Sequence, residues 1–324
     1  MYPRLLILLI TVSTFPSSSS AQNLVPNGDF EIFTVCPDNL DQLSNAGWSP
    51  YAGTADYFHA CDQTSFVGTP LNIANGFQYP LSGDGYGGLI GISYNNSREI
   101  MGTELSTPLD IGTEYYVEFY WSRTFGGQAH ANCDCASSHL GALFTTQAYH
   151  NVTNIIPVTN FAHVYDPTLL VDSTNWVKIS GWFTADSSYT HIAIGDFFEL
   201  DSNETANFNI SPEPVALKTY YYIEDVCVAT DSAFCSLINA TNFKVKTMEI
   251  QLFPNPSSNV LHIDTELRIQ SISIAAAVDG KLYSDFSLVG NQVDISKLAE
   301  GLYIITIETD RGLIRKKFIK INSL

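Results

Sequence analysis

Positive charge is what this 324-residue chain has least of: 15 Lys and Arg stand against 33 Asp and Glu, a formal net charge of −18. A surface so poor in cations cannot neutralise phosphates, which excludes a nucleic-acid partner and disfavours an anionic membrane surface. Long apolar runs are also lacking. After residues 5–12 no stretch approaches the ~20 residues that cross a bilayer, so no transmembrane anchor is expected. Helical periodicity is scarce and no internal repeat is evident. No G-x-S-x-G, H-E-x-x-H or P-loop occurs, so the chemistries those signatures support have no foothold here.

What is present begins with MYPRLLILLITVSTFPSSSSAQ. Arg4 precedes an apolar run, and Ser19-Ser20-Ala21 places small residues before a cut after Ala21, the order of a secretory signal peptide over 1–21. The roughly 300 residues that remain suggest two domains. Charge divides them. Residues 23–236 hold 4 basic against 24 acidic side chains, and 237–324 hold 10 against 9. The expected organisation is a cargo domain at 22–236, a linker at 237–248 and a second domain at 249–324. All six cysteines lie in the acidic part, and an even count in an exported chain points to disulfides. Closing local loops favours Cys36–Cys61 and Cys227–Cys235, with Cys133 and Cys135 left open.

Short apolar runs punctuated by Gly, Pro, Asn and Asp fill the acidic part. EYYVEFYW (114–121) alternates Tyr115, Val117, Phe119 and Trp121 against Tyr116, Glu118 and Tyr120, the period of a half-buried strand. WVKISGWF (176–183), THIAIGDFFEL (190–200) and TYYYIEDVCVA (219–229) are further strand candidates. The expected class is all-β, an N-terminal jelly-roll β-sandwich followed by a small C-terminal Ig-like β-sandwich. The second unit should carry strands near 250–253, 260–263, 268–276, 281–286, 301–309 and 312–321. Hairpin turns are expected at Asp279-Gly280 and Asp310-Arg311-Gly312, and one helical turn at 295–301.

That second unit opens on FPNP (253–256), runs through the Asp279-Gly280 turn to Gly301-Leu302-Tyr303, and closes on a strand with Arg315, Lys316, Lys317 and Lys320. In this order of elements it resembles the type A C-terminal sorting domain of the type IX secretion system of Bacteroidetes. The resemblance implies a sorting motif at Pro254, Asn255, Pro256, Gly301, Tyr303, Lys316 and Lys317. It also implies the secretion translocon and sorting machinery as partners, and delivery outside the cell or onto its surface. The two prolines fix φ and withhold two backbone donors, so the chain enters the unit on a stiff turn.

NLVPNGDFE (23–31) and YYYIEDVCV (220–228) resemble the first and last strands of carbohydrate-binding-like, galactose-binding-like jelly rolls. That resemblance implies a structural Ca²⁺ between the two ends, held at Asn27, Glu31, Glu224 and Asp225, whose hard oxygens suit the ion. A glycan ligand would need exposed aromatics beside convergent polar groups. Candidates are Trp48, Tyr51, Tyr57, Phe58 and His59 with Arg98 and Glu99 nearby, and the strand face of Tyr116, Glu118 and Tyr120. Trp121, Trp176 and Trp182 are expected in the core. His130, Cys133, Cys135 and His139 have the donors of a tetrahedral zinc, but the spacing is unusual and export favours oxidation. A hydrolase could draw two carboxylates from Glu99, Glu104, Glu118 or Asp196, though nothing in the sequence brings any two together. The expected cargo is a non-catalytic carbohydrate-binding, ligand-binding or adhesion module. A polysaccharide-acting hydrolase and a structural surface component are the alternatives.

Overall fold

A computed structural model describes residues 22–62, 66–124, 135–150, 153–208, 217–235, 250–265, 268–276, 282–283, 286, 288–309 and 312–322. The expected signal peptide and linker, His130, Cys133 and the expected turns at Asp279-Gly280 and Asp310-Arg311 lie outside the described residues. In chain order the strands of the first unit are β1 (Ser49–Ala52), β2 (Asp56–His59), β3 (Leu71–Asn72), β4 (Gly76–Phe77), β5 (Gly85–Ser93), β6 (Ile100–Glu104) and β7 (Glu114–Arg123). They continue as β8 (Cys135–Ser137), β9 (Leu140–Thr145), β10 (Val164–Tyr165), β11 (Val177–Thr184), β12 (His191–Asp196), β13 (Thr205–Asn207) and β14 (Lys218–Ala229).

Strand β7 shows why this sequence makes a sandwich. Tyr115, Val117, Phe119 and Trp121 enter the main core, while Tyr116, Glu118 and Tyr120 share the other side, as the two-residue period of a strand requires. Two antiparallel five-stranded sheets, β1-β6-β12-β9-β10 and β11-β7-β14-β5-β2, face each other across that core. The chain passes repeatedly from one sheet to the other, a jelly-roll arrangement. Other strands do not alternate because loops cover their outer faces as well. Tyr149, Ile156, Ala162, Phe197 and Phe198 pack on Tyr51, Ile100, Leu143 and Ala193 of the first sheet. Leu40, Phe66, Val67, Ala74 and Trp176 pack on Phe58, Tyr86, Tyr220 and Tyr222 of the second. A strand buried on both faces reads as a continuous apolar run, which is how LGALFT in β9 reads.

Segment 23–31 is not a strand, contrary to expectation. Asn27 and Phe30 adopt left-handed backbone, with φ of 49° and 60°. The Asn27 side chain holds this turn by donating to the carbonyls of Ile32 and Ala46 and accepting from the Ile32 amide, each at 2.8 Å. It still runs beside β14, through Leu24 N–H to Val228 O at 2.8 Å and Val226 N–H to Gly28 O at 2.9 Å. A Cβ at Gly28 would stand 2.0 Å from Val226 O, so only glycine permits that approach. Strand β12 also stops earlier than expected, at Asp196, whose carboxylate accepts the Phe198 amide at 2.8 Å and turns the chain. Disulfides join Cys36 to Cys61 and Cys227 to Cys235. Cys135 is disulfide-bonded too, which removes its thiolate from any zinc site.

The second unit comprises β15 (Gln251–Phe253), β16 (Val260–Asp264), β17 (Ile269–Ala276), β18 (Leu282–Tyr283), β19 (Leu288–Val289), β20 (Gln292–Asp294), β21 (Gly301–Thr309) and β22 (Gly312–Lys320). Two four-stranded sheets, β15-β16-β20-β19 and β18-β17-β21-β22, enclose a core of its own around Leu261, Ile274, Val293, Tyr303, Ile305 and Phe318. The expected helical turn at 295–301 is a single turn closed by Leu298 N–H to Ile295 O at 3.0 Å. The Pro254-Asn255-Pro256 turn has a structural role. Asn255 Oδ1 accepts the Ile319 amide at 2.9 Å and Asn255 Nδ2 donates to Lys317 O at 3.3 Å. Ser257 then exchanges backbone bonds with Ile319 and Ile321. The turn thus occupies the free edge of β22, which would otherwise offer unpaired donors and acceptors to another chain.

Candidate functional site

Most of the expected ligand residues are interior. Trp48, Tyr51, Tyr57, Phe58 and His59 are all buried, so none can present a ring face to a sugar. Trp48 immediately precedes β1 and the others belong to β1 and β2, whose inner and outer faces are both covered, and their polar atoms serve the fold: Trp48 Nε1 donates to Asn27 O at 3.1 Å and Tyr57 Oη to Phe30 O at 2.7 Å. Arg98 is buried against the carbonyls of Asp196 and Phe198 and lies 3.8 Å from the Asp196 carboxylate. Glu99 accepts from Thr54 and from the Ile90 amide. Trp182 errs the other way. Expected in the core, it is 46% exposed on the outer face of β11, while Trp121 is buried and Trp176 partly so.

Three of the four expected calcium ligands, Asn27, Glu31 and Glu224, serve the backbone. Glu31 Oε1 accepts the amides of Asp84 and Gly85 at 2.7 and 2.9 Å. Glu224 accepts the amides of Leu81 and Ser82, both at 2.6 Å. Together they pin the 81–85 turn, where Gly83 has φ of +55° and a Cβ would meet the Glu31 carboxyl at 2.2 Å. Asp225, left-handed at φ 51°, accepts from Ser82 Oγ at 3.0 Å. Burial pushes the Glu224 carboxyl well up and that of Asp225 to about 6, and the neighbouring acids reinforce both shifts. Among the described residues no group of three or more His, Cys, Asp or Glu converges to hold a metal. Amide hydrogens already occupy Glu31 Oε1 and the Glu224 oxygens, whereas Asp225 Oδ2 is buried with no hydrogen-bond partner among the described residues.

The four carboxylates weighed for hydrolysis sit as follows. Glu99 and Asp196 bond to backbone in the interior, Glu104 is exposed at the end of β6, and Glu118 lies beneath the outer face of β7. There Tyr116 Oη donates to Glu118 Oε2 at 3.0 Å, with Lys178 Nζ 3.4 Å away. Tyr116, Glu118 and Tyr120 do share one face, and Trp182 joins it with its ring centroid 5.2 Å from that of Tyr116.

The arrangement closest to a ligand site lies elsewhere. A cleft of about 450 Å³ opens where β9, the 146–163 loop, the end of β11 and the following turn meet. Phe144 and Phe183 stack at 4.5 Å along one wall. Phe161, 51% exposed, meets the His163 ring edge-on at 5.1 Å, and Tyr149 and Tyr189 line the rest. A hydrogen-bond chain orients the polar groups. The Phe144 amide donates to His163 Nδ1 at 3.1 Å, which leaves the ring proton on Nε2. His163 Nε2 donates to Tyr189 Oη at 3.1 Å, and Tyr189 Oη donates to Asp186 Oδ1 at 2.5 Å. Burial holds His163 down to about 4 and, with Asp186 beside it, lifts the Tyr189 hydroxyl to about 12. The cleft is therefore neutral apart from the exposed Asp186 carboxylate, and no basic side chain lines it. Sequence reasoning missed it because Phe144, Phe161, His163, Phe183 and Tyr189 come from four segments. The only signal was the aromatic and histidine content of NFAHVY (160–165).

Residues 251–322 match the family of the secretion system C-terminal sorting domain. No curated protein matches the chain. Among solved structures, the chain is similar to the tripod (BppUct-A-L) from the baseplate of bacteriophage Tuc2009, at 10% identity over 77% of this chain and 85% of that one, with a TM-score of 0.24. It is also similar to the ligand-binding domain of botulinum neurotoxin serotype D in complex with N-acetylneuraminic acid, at 10% identity over 84% and 74%, with a TM-score of 0.24. Likenesses this distant fix neither ligand nor activity. The sorting domain marks the chain for export by the type IX secretion system, to the medium or the cell surface.

Proposed function

We propose that the exported cargo is a non-catalytic binding module for neutral glycans and that the Phe161–Tyr189 cleft is its site. The observation that carries this reading is the combination of aromatic faces, one of them half exposed, with an oriented His163–Tyr189–Asp186 chain in one recess. Rings stack on the apolar faces of sugars, and a few fixed polar groups read the hydroxyls. The ligand class follows from charge. With 4 basic against 24 acidic residues over 23–236 and none of the basic ones in the cleft, sulfated or uronic sugars would be repelled.

The test is a glycan array probed with the mature full-length chain, with and without Ca²⁺, and repeated with Phe161→Ala. Neutral glycans should bind equally in both conditions. Losing the Phe161 face should weaken binding about tenfold, the equivalent of ~1.4 kcal/mol. Silence across the array with folded protein, or binding that ignores the substitution, would refute the assignment.

A further inference from the structure

The two units also touch, through an unusual pair of surfaces. On the passenger, β3 and β4 form a small hairpin in which Leu71 and Phe77 are cross-strand partners. Its polar side is fastened to the sandwich. Gln78 Nε2 donates to Ser122 Oγ at 2.8 Å and Asn72 Nδ2 to Tyr222 Oη at 3.0 Å. Its apolar side, Leu71, Phe77 and Tyr79, faces away from the sandwich and packs on Leu302 and Ile304 of β21. These two alternate with Tyr303 and Ile305, which fill the sorting domain's own core, so they lie on its outer face. Ile304 is paired across to Lys317 of β22. The Lys317 ammonium crosses between the units, donating to Ser173 O at 2.6 Å, 144 positions away, and lying 5.5 Å from the centre of the Phe77 ring. Burial pushes its pKa down to about 7, and the Asp172 carboxylate beside it opposes that shift. Trp176 Nε1 closes the seat by donating to Tyr79 O at 2.6 Å.

We propose that the passenger carries a receptor for its own sorting domain: hairpin β3–β4 with the 172–176 loop, which seats Leu302 and Ile304 and takes Lys317 at the Ser173 carbonyl. Three kinds of contact converge on it: an apolar cluster, a charge-assisted hydrogen bond and a cation over an aromatic ring. The seat exists only when Gln78 and Asn72 have found their partners in the sandwich. A sorting domain docked this way sits on a folded passenger and leaves an unfolded one.

Hydrogen exchange on the mature full-length chain tests the proposal, comparing wild type with Lys317→Glu and Ile304→Lys. Both variants should raise exchange in peptides covering 70–80 and 172–177 by about tenfold or more. Peptides covering 260–264, inside the sorting domain's core, should keep wild-type protection. Unchanged exchange on the passenger with that core intact would overturn the docking. Should both variants unfold the sorting domain, Phe77→Ser on the passenger decides. It should raise exchange at 301–305 and 315–319, and no change there would overturn the proposal equally.

Discussion

At the residue scale, four of the acidic side chains considered for a site are committed to the backbone, and that commitment separates structural from functional candidates. Glu31, Glu99, Glu224 and Asp196 each accept main-chain amides, as a buried carboxylate must to offset its desolvation. His163 is different, because its backbone bond leaves Nε2 directed at the cleft. Burial depresses its pKa to about 4, so the unfolded chain takes up this proton more readily than the folded one. Its contribution to stability is fully present above ~6.5 and is lost as pH falls from there towards 4. Ring resonances of His163 should therefore stay flat from pH 8 to about 5 and move only near 4, and glycan binding should not change over the same interval. A titration midpoint near 6.5 would show an open, solvated ring and a different cleft.

At the element scale, what could be read from sequence was what a period of two can carry. EYYVEFYW announced β7, because one of its faces meets the main core and the other does not, whereas TYYYIEDVCVA announced β14 by its aromatic and β-branched content, both of its faces being buried. The 23–31 turn escaped because left-handed backbone at Asn27 and Phe30 leaves no periodic trace. The aromatic run around 48–59 was misread for a related reason: covering loops bury outer faces, and a loop's resting place is not written in its own pattern. The cleft was illegible on the same ground, since β9, β11 and two connections must first be assembled. The Pro-Asn-Pro turn was legible as a stiff turn but not as an edge guard. That role makes a prediction. Asn255→Ala removes two bonds to β22 and should lower the stability of the sorting domain by ~1–2 kcal/mol. The effect should appear in denaturant unfolding followed by a probe on that domain. The passenger transition should stay where it is, and equal shifts in both would mean that the turn supports more than its own edge.

At the scale of the whole molecule, two cores in one chain imply two separable tasks. The passenger interior around Phe119, Trp121 and Ile194 and the sorting interior around Leu261, Ile305 and Phe318 share no residue, and among the described residues the two units meet at the Phe77–Ile304 cluster with Lys317. Deleting residues 250–324 should therefore leave the passenger folded and its cleft competent, because no side chain of the cleft comes from the deleted part. The same deletion removes the whole match to the sorting family, so export beyond the outer membrane should fail and the passenger should collect in the periplasm. Cell fractionation followed by a glycan-binding assay on the retained protein measures both halves. The retained passenger should also associate more readily than the full chain, since Leu71, Phe77 and Tyr79 lose their cover and form an exposed apolar patch. Phe77→Ser in the truncated chain should reverse that association without touching binding. Passenger found in the medium without its last 75 or so residues would detach the address from this domain, and a truncated passenger that cannot fold would deny that the two interiors are independent.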